Sequence, residues 1–556
     1  MRIVRTVVLV SALSLALNGT ALAADFYVSQ SGTGGGTSCS DTLSVTWFNT
    51  GSNWANPKVT GKVGPGDTVH LCGTFTFPAN GNPNNPADLL VIPGSGSSGS
   101  LITVKFETNA IVQSPAFSTS GGLDCNYYFG CHGYIVIDGG TNGLIQATNN
   151  GSASLGFGYQ IDGNGVFVAG WNGHPVTNVE IKNLTVQHIY QHDGSPSSSD
   201  AISENGSAIA VTGGSNIHIH NNVAGGQRQG IAFSFSGWSG LSGLEIDHNT
   251  VTDMCFGILV VSGGGATDSL SNPLIHDNEI TNWDNYKCPA TSGSGYCTYA
   301  NAHGLDPYHK DGIIVWTPQG NSNPFQVYVY NNYIHGDLTP GSTAFVYGTW
   351  GGGSGACVVP TQLYVFNNLF VSTANITEVA TRDDLCSFSP VVTGPHFYYN
   401  NTFVGTDTSN ANLLAVNGLP GNTVENNVFT TTNAVLSYNA TITTSNYNVF
   451  FNTGSQIVEG PGANYTLAQW QGMGYDLNSV TTNPNLTADY TLGSGSSAVG
   501  LGANLTSLCT GSLAALCTDK AGNPRPATGA WDAGAYQFSA TNRPNPPVAL
   551  RVTSVK

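Results

Sequence analysis

The sequence predicts an all-β solenoid, a parallel β-helix, and three observations predict it. A short strand, an Asn-containing turn and a second strand recur through the middle of the chain. The strands are rich in β-branched and aromatic residues, and the period carries no helix, which excludes a leucine-rich repeat. The 71 glycines, with abundant Asn, Ser and Thr, supply turns rather than helices.

The copies read NIHIHNNVAGG from Asn216, GLEIDHNTVTD from Gly243, PLIHDNEITNW from Pro273, QVYVYNNYIHG from Gln326, QLYVFNNLFVS from Gln362, PHFYYNNTFVG from Pro395 and GNTVENNVFTT from Gly421. A weaker first copy is NVEIKNLTVQH from Asn178. The second Asn of each turn falls at Asn222, Asn249, Asn278, Asn332, Asn368, Asn401 and Asn427, spaced by 27, 29, 54, 36, 33 and 26 residues, with the 54 reading as two coils. Such a unit cannot bury its apolar face alone, but coils stacked about 4.8 Å apart build one continuous core. Aligned asparagines then hydrogen-bond along the stack, and their role reads as structural. A propeller is disfavoured because the strands come in pairs with no four-stranded blade.

The N-terminus MRIVRTVVLVSALSLALNGTALAADF has Arg2 and Arg5 before an apolar run and an Ala21 to Ala23 cleavage site, the layout of a secretory signal. No stretch of the length of a membrane span, about 18 apolar residues, follows. The mature chain is therefore expected to be exported. Only 8% of residues are charged and the formal net charge is -17, which argues against nucleic acid as a partner. Eleven cysteines in an exported chain imply disulfides, and spacing pairs Cys39 with Cys72, Cys125 with Cys131, Cys288 with Cys297, Cys357 with Cys386 and Cys509 with Cys517. Cys255, inside the apolar run MCFGILVV, reads as a buried thiol.

The expected organisation is a signal peptide over 1–23, an N-terminal cap with the first coils over 24–130, and the β-helix core over 131–450 with an insertion at 284–310. C-terminal coils and a closing segment follow over 451–538, then a tail over 539–556.

A third strand follows each turn, and its Gly-Ile start aligns the coils: RQGIAFSF at Arg228, CFGILVVS at Cys255, KDGIIVWT at Lys310. From turn Asn to that Gly is 8 residues in two coils, Asn222 to Gly230 and Asn249 to Gly257, but 34 from Asn278 to Gly312. The 26 extra residues hold the chain's densest group of ionisable side chains, including His303, Asp306, Tyr308, His309 and Lys310, with Asp311 following. Functional residues commonly project on loops from a rigid scaffold. In register, Lys310 aligns with Cys255 and Arg228, and Tyr308 with Asp253. Arg228 and Lys310 then stand two coils apart, about 9 to 10 Å at the backbone. A surface loop without function is the plain alternative.

These residues resemble the right-handed parallel β-helix proteins, the group that includes pectate lyases, alginate lyases, polygalacturonases and mannuronan epimerases. The resemblance runs from about Phe26 to Phe538, through the opening strand DFYVSQSG, the lead-in VGPGDTVHLCGTF from Val63 and the closing YTLGSGSSAVGLG from Tyr490 and AGNPRPATGAWDAGAYQF from Ala521. GLDPYHKDG is partly similar to the catalytic DPH-type motif of mannuronan epimerases, matching Asp306 and Pro307, while Tyr308 and His309 stand where that family has His and an acidic residue. That similarity implies catalytic roles for Asp306 and His309. The ordered NTD, DD and RIK motifs of polygalacturonases are missing.

Two chemistries on an extracellular polysaccharide fit. A lyase or epimerase removes the proton beside a uronate carboxylate and needs a base and a cation, from Arg, Lys or calcium, for the developing enolate charge. His309, Lys310 and Arg228 suit that. A glycosidase needs two carboxylates, which Asp306, Asp311 and Asp253 supply. A third reading is a carbohydrate-binding β-helix without catalysis, with Trp238, Trp316, Tyr347 and Trp350 stacking on sugars. Asp253, Tyr308, His303, Trp316 and Trp350 are the expected substrate contacts and Lys310, His309, Asp306, Asp311 and Arg228 the expected catalytic set. Calcium is the only metal suggested, with no ligand set assigned, and the protein is expected to act as a monomer.

Overall fold

The computed structural model describes residues 22–79, 89–191, 206–262, 267–283, 310–316, 325–336, 343–348, 361–373, 378–381, 395–405, 414–416, 421–431, 436–438, 442–452, 456–460 and 462–538. These form a right-handed parallel β-helix. Among the described residues three long sheets run the length of the stack, with 14, 12 and 13 strands. Each coil contributes one strand to each sheet in turn, and every pairing along the stack is parallel save one terminal hairpin, Val458–Gly460 against Ala463–Tyr465.

Within each repeat alternation decides what is buried. In Gly214–His220 the residues Ile217 and Ile219 point into the core and His218 and His220 point outward; the next coils follow with Ile246, Ile275, Val327 and Val329 inside. Phe370, Phe403, Phe429 and Phe450 stack inside the second sheet at centroid spacings of 5.0, 4.8 and 5.3 Å, close to the strand spacing that sets them.

The corner between the first and second sheets is a two-residue turn. Its first residue, Asn221, His248, Asp277, Asn331, Asn367, Asn400 or Asn426, adopts φ between +52° and +61°, the left-handed region that Asn and Asp tolerate best among non-glycine residues. Its second is the repeating Asn, whose main-chain N–H and Nδ2 both donate to Oδ1 of the next. The bonds from Asn222 to Asn249 are 3.1 and 3.0 Å, and the same pair recurs from Asn249 through Asn278, Asn332, Asn368, Asn401 and Asn427 to Asn448. Asn448 ends the column by donating to Ser479 Oγ and Asp476 Oδ1.

This column corrects one expectation. Asn278 bonds directly to Asn332, so the 54-residue interval is a single coil with long excursions and not two coils. Strand pairing agrees, because Leu274–His276 lies beside Phe325–Tyr330.

Cys39–Cys72, Cys125–Cys131 and Cys509–Cys517 are disulfides and Cys255 is a buried thiol. The expected pairs Cys288–Cys297 and Cys357–Cys386 lie outside the described residues, as do residues 1–21 of the expected signal peptide over 1–23 and the expected tail over 539–556. Among the described residues no helix is long and apolar enough to cross a membrane.

After the last coil the chain folds back over the Asn corner. Arg525 Nη2 donates to Asn367 Oδ1 at 2.9 Å, Asn367 Nδ2 to Thr518 O at 2.8 Å, and Lys520 Nζ to Asn331 O. Leu505, Leu516 and Trp531 cover Tyr328, Tyr330, Phe366 and Tyr399 on the outer face of the first sheet. Among the described residues that cover reaches Leu274, and on the two coils before it the side chains of His218 and Glu245 are partly exposed.

Candidate functional site

Two outer faces carry chemistry. The third sheet bears a groove of about 420 Å³. Its floor comes from three rows in register: Ser207, Gln229 and Phe256; Phe167, Ala210, Ala232 and Leu259; Thr212, Ser234, Val261 and Trp316. These outward positions differ from the inward Ile231, Phe233, Ile258, Val260, Ile313 and Val315, which fill the main core. From the Phe167 coil to the Trp316 coil is four steps, about 19 Å, so the groove suits a chain rather than a single small molecule. Apolar rings and aliphatics floor it, while hydroxyl and amide groups edge it.

Asp311 continues the first row as the register partner of Phe256 and is fully buried. Lys310 precedes it, is 1% exposed, and lies opposite Cys255 by the same register. Arg228 is buried with its guanidinium 5.3 Å from the Phe256 ring centre, and its carbonyl accepts from the N–H of Cys255 and Phe256. The expected alignment of Arg228, Cys255 and Lys310 on successive coils is therefore the observed register. Lys310 and Asp311 are both buried, and neither lines the groove.

Asp253 stands apart from this groove. It sits half-buried at the corner leading out of the second sheet with φ +57°, its N–H donating to Asn282 O. Trp316 is half-buried and lines the groove, whereas Trp238 packs against the core. His303, Asp306, Tyr308, His309 and Trp350 lie outside the described residues.

Sequence reasoning missed Asp124. It is the register partner of Phe167, fully buried, and neither oxygen has a hydrogen-bond partner among the described residues. Burial pushes its carboxyl well above the usual carboxylate range.

The outer face of the first sheet was also missed. Glu180 and Lys182, His218 and His220, Glu245 and Asp247, and His276 are the outward positions of successive copies. Asp247 Oδ1 lies 2.6 Å from His218 Nε2, and its Oδ2 lies 2.5 Å from His248 Nδ1. His276 places Nε2 3.1 Å from Glu245 Oε1 and Nδ1 2.8 Å from Asp277 Oδ2. Glu180 Oε1 lies 2.9 Å from His220 Nε2 and 2.7 Å from Lys182 Nζ.

The hydrogen bond to Asp247 raises His218 above the ordinary histidine value, against its partial burial. Burial opposes ionisation of Asp247, but the bonds from His218 and His248 outweigh it and hold the carboxyl low. Burial likewise works against a charged His276, and its bonds to Asp277 and Glu245 win, raising it. The signal was legible: aligned on their turns, the copies EIKN, HIHN and EIDH are polar at both alternate positions and LIHD at the second, where the next three copies, YVYN, YVFN and FYYN, have Tyr and Phe.

No family model and no curated protein matches the chain. Among solved structures it is similar to pectate lyase Pel9A, at 12% identity and a TM-score of 0.38 over 94% of this chain and 98% of that one. It is also similar to a GH136 lacto-N-biosidase from Eubacterium ramulus, at 12% identity and a TM-score of 0.38 over 75% of this chain and 64% of that one.

Proposed function

We propose that the protein is a secreted enzyme that processes an extracellular polysaccharide lying across the outer face of the third sheet. The observation that carries this reading is the groove itself: several coils long, floored by Phe167, Phe256 and Trp316, edged by Ser207, Gln229 and Ser234, with Arg228 and Asp311 flanking Phe256. Flat rings match the apolar faces of sugars, and hydroxyl and amide groups match their rims. Three disulfides fit an oxidising compartment outside the cytosol, and the leader fits export.

The favoured reaction is β-elimination or epimerisation of a uronate. Each begins by moving the proton beside the carboxylate to a base, with cationic charge holding the enolate-like intermediate. Arg228 lies beside Phe256 of the groove floor and Lys310 precedes Asp311 on the coil that bears Trp316, both buried, and the insertion that carries His303, Asp306, Tyr308 and His309 ends in sequence at Lys310. Hydrolysis needs carboxylates about 5 to 9.5 Å apart. Asp124 and Asp311, buried on the third sheet beside the groove's rows, are five coils apart, about 24 Å along the stack, and do not form such a pair.

The test is incubation of purified protein with pectate, alginate, xylan and glucans, following unsaturated ends, reducing ends and uronate configuration. Unsaturated or epimerised uronate is expected. New reducing ends without unsaturation would turn the reading to hydrolysis, and binding without any product would turn it to a carbohydrate-binding protein.

A further inference from the structure

The open face of the first sheet has features that simple surface ion pairing does not need. His218, Glu245 and Asp247 each offer one ligand atom, and these atoms lie within 4.8 Å of one another. They come from two adjacent coils, since His218 pairs with Glu245 and His220 with Asp247, so backbone register fixes their spacing. The remaining contacts orient the ligands. His248 holds the other oxygen of Asp247 at 2.5 Å, and His276 holds Glu245 at 3.1 Å while itself fixed by Asp277 and stacked on Tyr330 at 4.5 Å. A ligand carboxylate gripped from behind by a second group is the arrangement that tunes and orients metal ligands.

We propose that His218, Glu245 and Asp247 form a binding site for a divalent first-row transition ion such as zinc, separate from the groove on the third sheet. Calcium takes oxygen ligands alone, whereas an imidazole beside carboxylates suits zinc and its neighbours. The Asp247 side chain is 9% exposed, while His218 and Glu245 are 39% and 42% exposed. The buried carboxylate anchors the ion, and the outer side stays open to water or an anionic group, the three-ligand form of an open site. Among the described residues Glu180, Asp277, Glu245 and Asp247 are met by Lys182 beside Glu180 and by Lys520 near Asp277, so the carboxylates outnumber the fixed cations and a dication also relieves an excess of negative charge.

The full-length secreted protein, stripped with chelator and dialysed, is titrated calorimetrically with zinc and separately with calcium at neutral pH. One zinc per chain is expected, with calcium at least 10-fold weaker. Asp247→Asn and Glu245→Gln each weaken zinc by 100-fold or more, His276→Ala by about 10-fold through lost orientation, and His335→Ala, on the second sheet, leaves it unchanged. If Asp247→Asn does not fold, the exposed Glu245→Gln decides alone. Absence of saturable zinc binding, or binding equal in Glu245→Gln and wild type, overturns the site and leaves a plain ion-pair network. Polysaccharide turnover is not read in this titration, so its outcome is independent of the proposed function.

Discussion

The outer faces of the first and third sheets are wound from the same coils and present opposite chemistries. On the first sheet, charged side chains stand partly in water and satisfy one another across coils: His218 with Asp247, His276 with Glu245, His220 with Glu180. On the third, Arg228, Lys310 and Asp311 are buried around an aromatic and aliphatic floor. The inward positions of both are interchangeable Val, Ile, Leu and Phe, because all face one core. The difference teaches that the solenoid constrains only alternate residues. The outward half is free to become a patch of exchangeable charge on one side and a lined channel on another.

Breaking the third face should have the largest consequence. Lys310→Met keeps most of the volume and removes the charge; turnover of the true polysaccharide is expected to fall by about 100-fold or more, the scale of a lost acid–base or charge-stabilising group. Circular dichroism checks that the coils persist. The corner that serves both faces should come next. Asn332→Ala removes the Oδ1 that receives two bonds from Asn278 and the Nδ2 that donates to Ile275 O and Asn368, in a fully buried site. A loss of about 3 kcal/mol is expected in denaturant unfolding, from several bonds of about 1 kcal/mol each.

That corner was also the most legible part of the sequence. Its Asn pairs mark a turn that only a few residue types tolerate, and the repeat is visible without knowing what lies between copies. The third-sheet register was legible for the same reason, through Gly230, Gly257 and Gly312. What could not be read was burial. Lys310 and Asp311 sit in a segment dense in charge and were expected to face a substrate, yet they are 1% and 0% exposed, and strand alternation alone does not tell an exposed outward position from a covered one. The His and carboxylate face went unread for a different reason. Its residues are ordinary within each copy and become a cluster only when alternate positions are compared across coils, as for His218, Asp247 and His276. The size of the Asn278 coil was misjudged because a period of 54 is about twice the usual one, and only the direct Asn278 to Asn332 bond distinguishes insertion from a second coil.

A smaller effect sharpens the role of aromatic stacking. Trp316→Ala is expected to weaken polysaccharide binding by about 5- to 10-fold, near 1 kcal/mol. Equilibrium binding to immobilised polymer reads it.

The smallest effect belongs to the first face and is a matter of pH. His218 and His276 are raised in the folded state, so their pairing stabilises fully below the ordinary histidine value of 6.5 and is lost as pH rises through the folded values. Asp247 is lowered, so its contribution is present above 3.8 and is lost as pH falls through its folded value. Buried His396, pushed down to about 3, acts oppositely to His218: stability is lost as pH falls from 6.5 toward that value, because the unfolded chain takes the proton. Asp247→Asn should therefore flatten the decline above pH 6.5 by under about 1 kcal/mol, given the partial exposure of its partners. The acid limb set by His396 should remain. Urea melts across pH 4 to 9 would detect both limbs.

The measurement closest to the central claim compares wild type with Lys310→Met on pectate and alginate, recording absorbance of unsaturated uronide and the configuration of the residual polymer. The account predicts unsaturated or epimerised product from wild type on at least one uronate polymer and a loss of about 100-fold or more in the variant, with binding retained. Equal turnover by the two proteins, or no product from any uronate polymer, would contradict it.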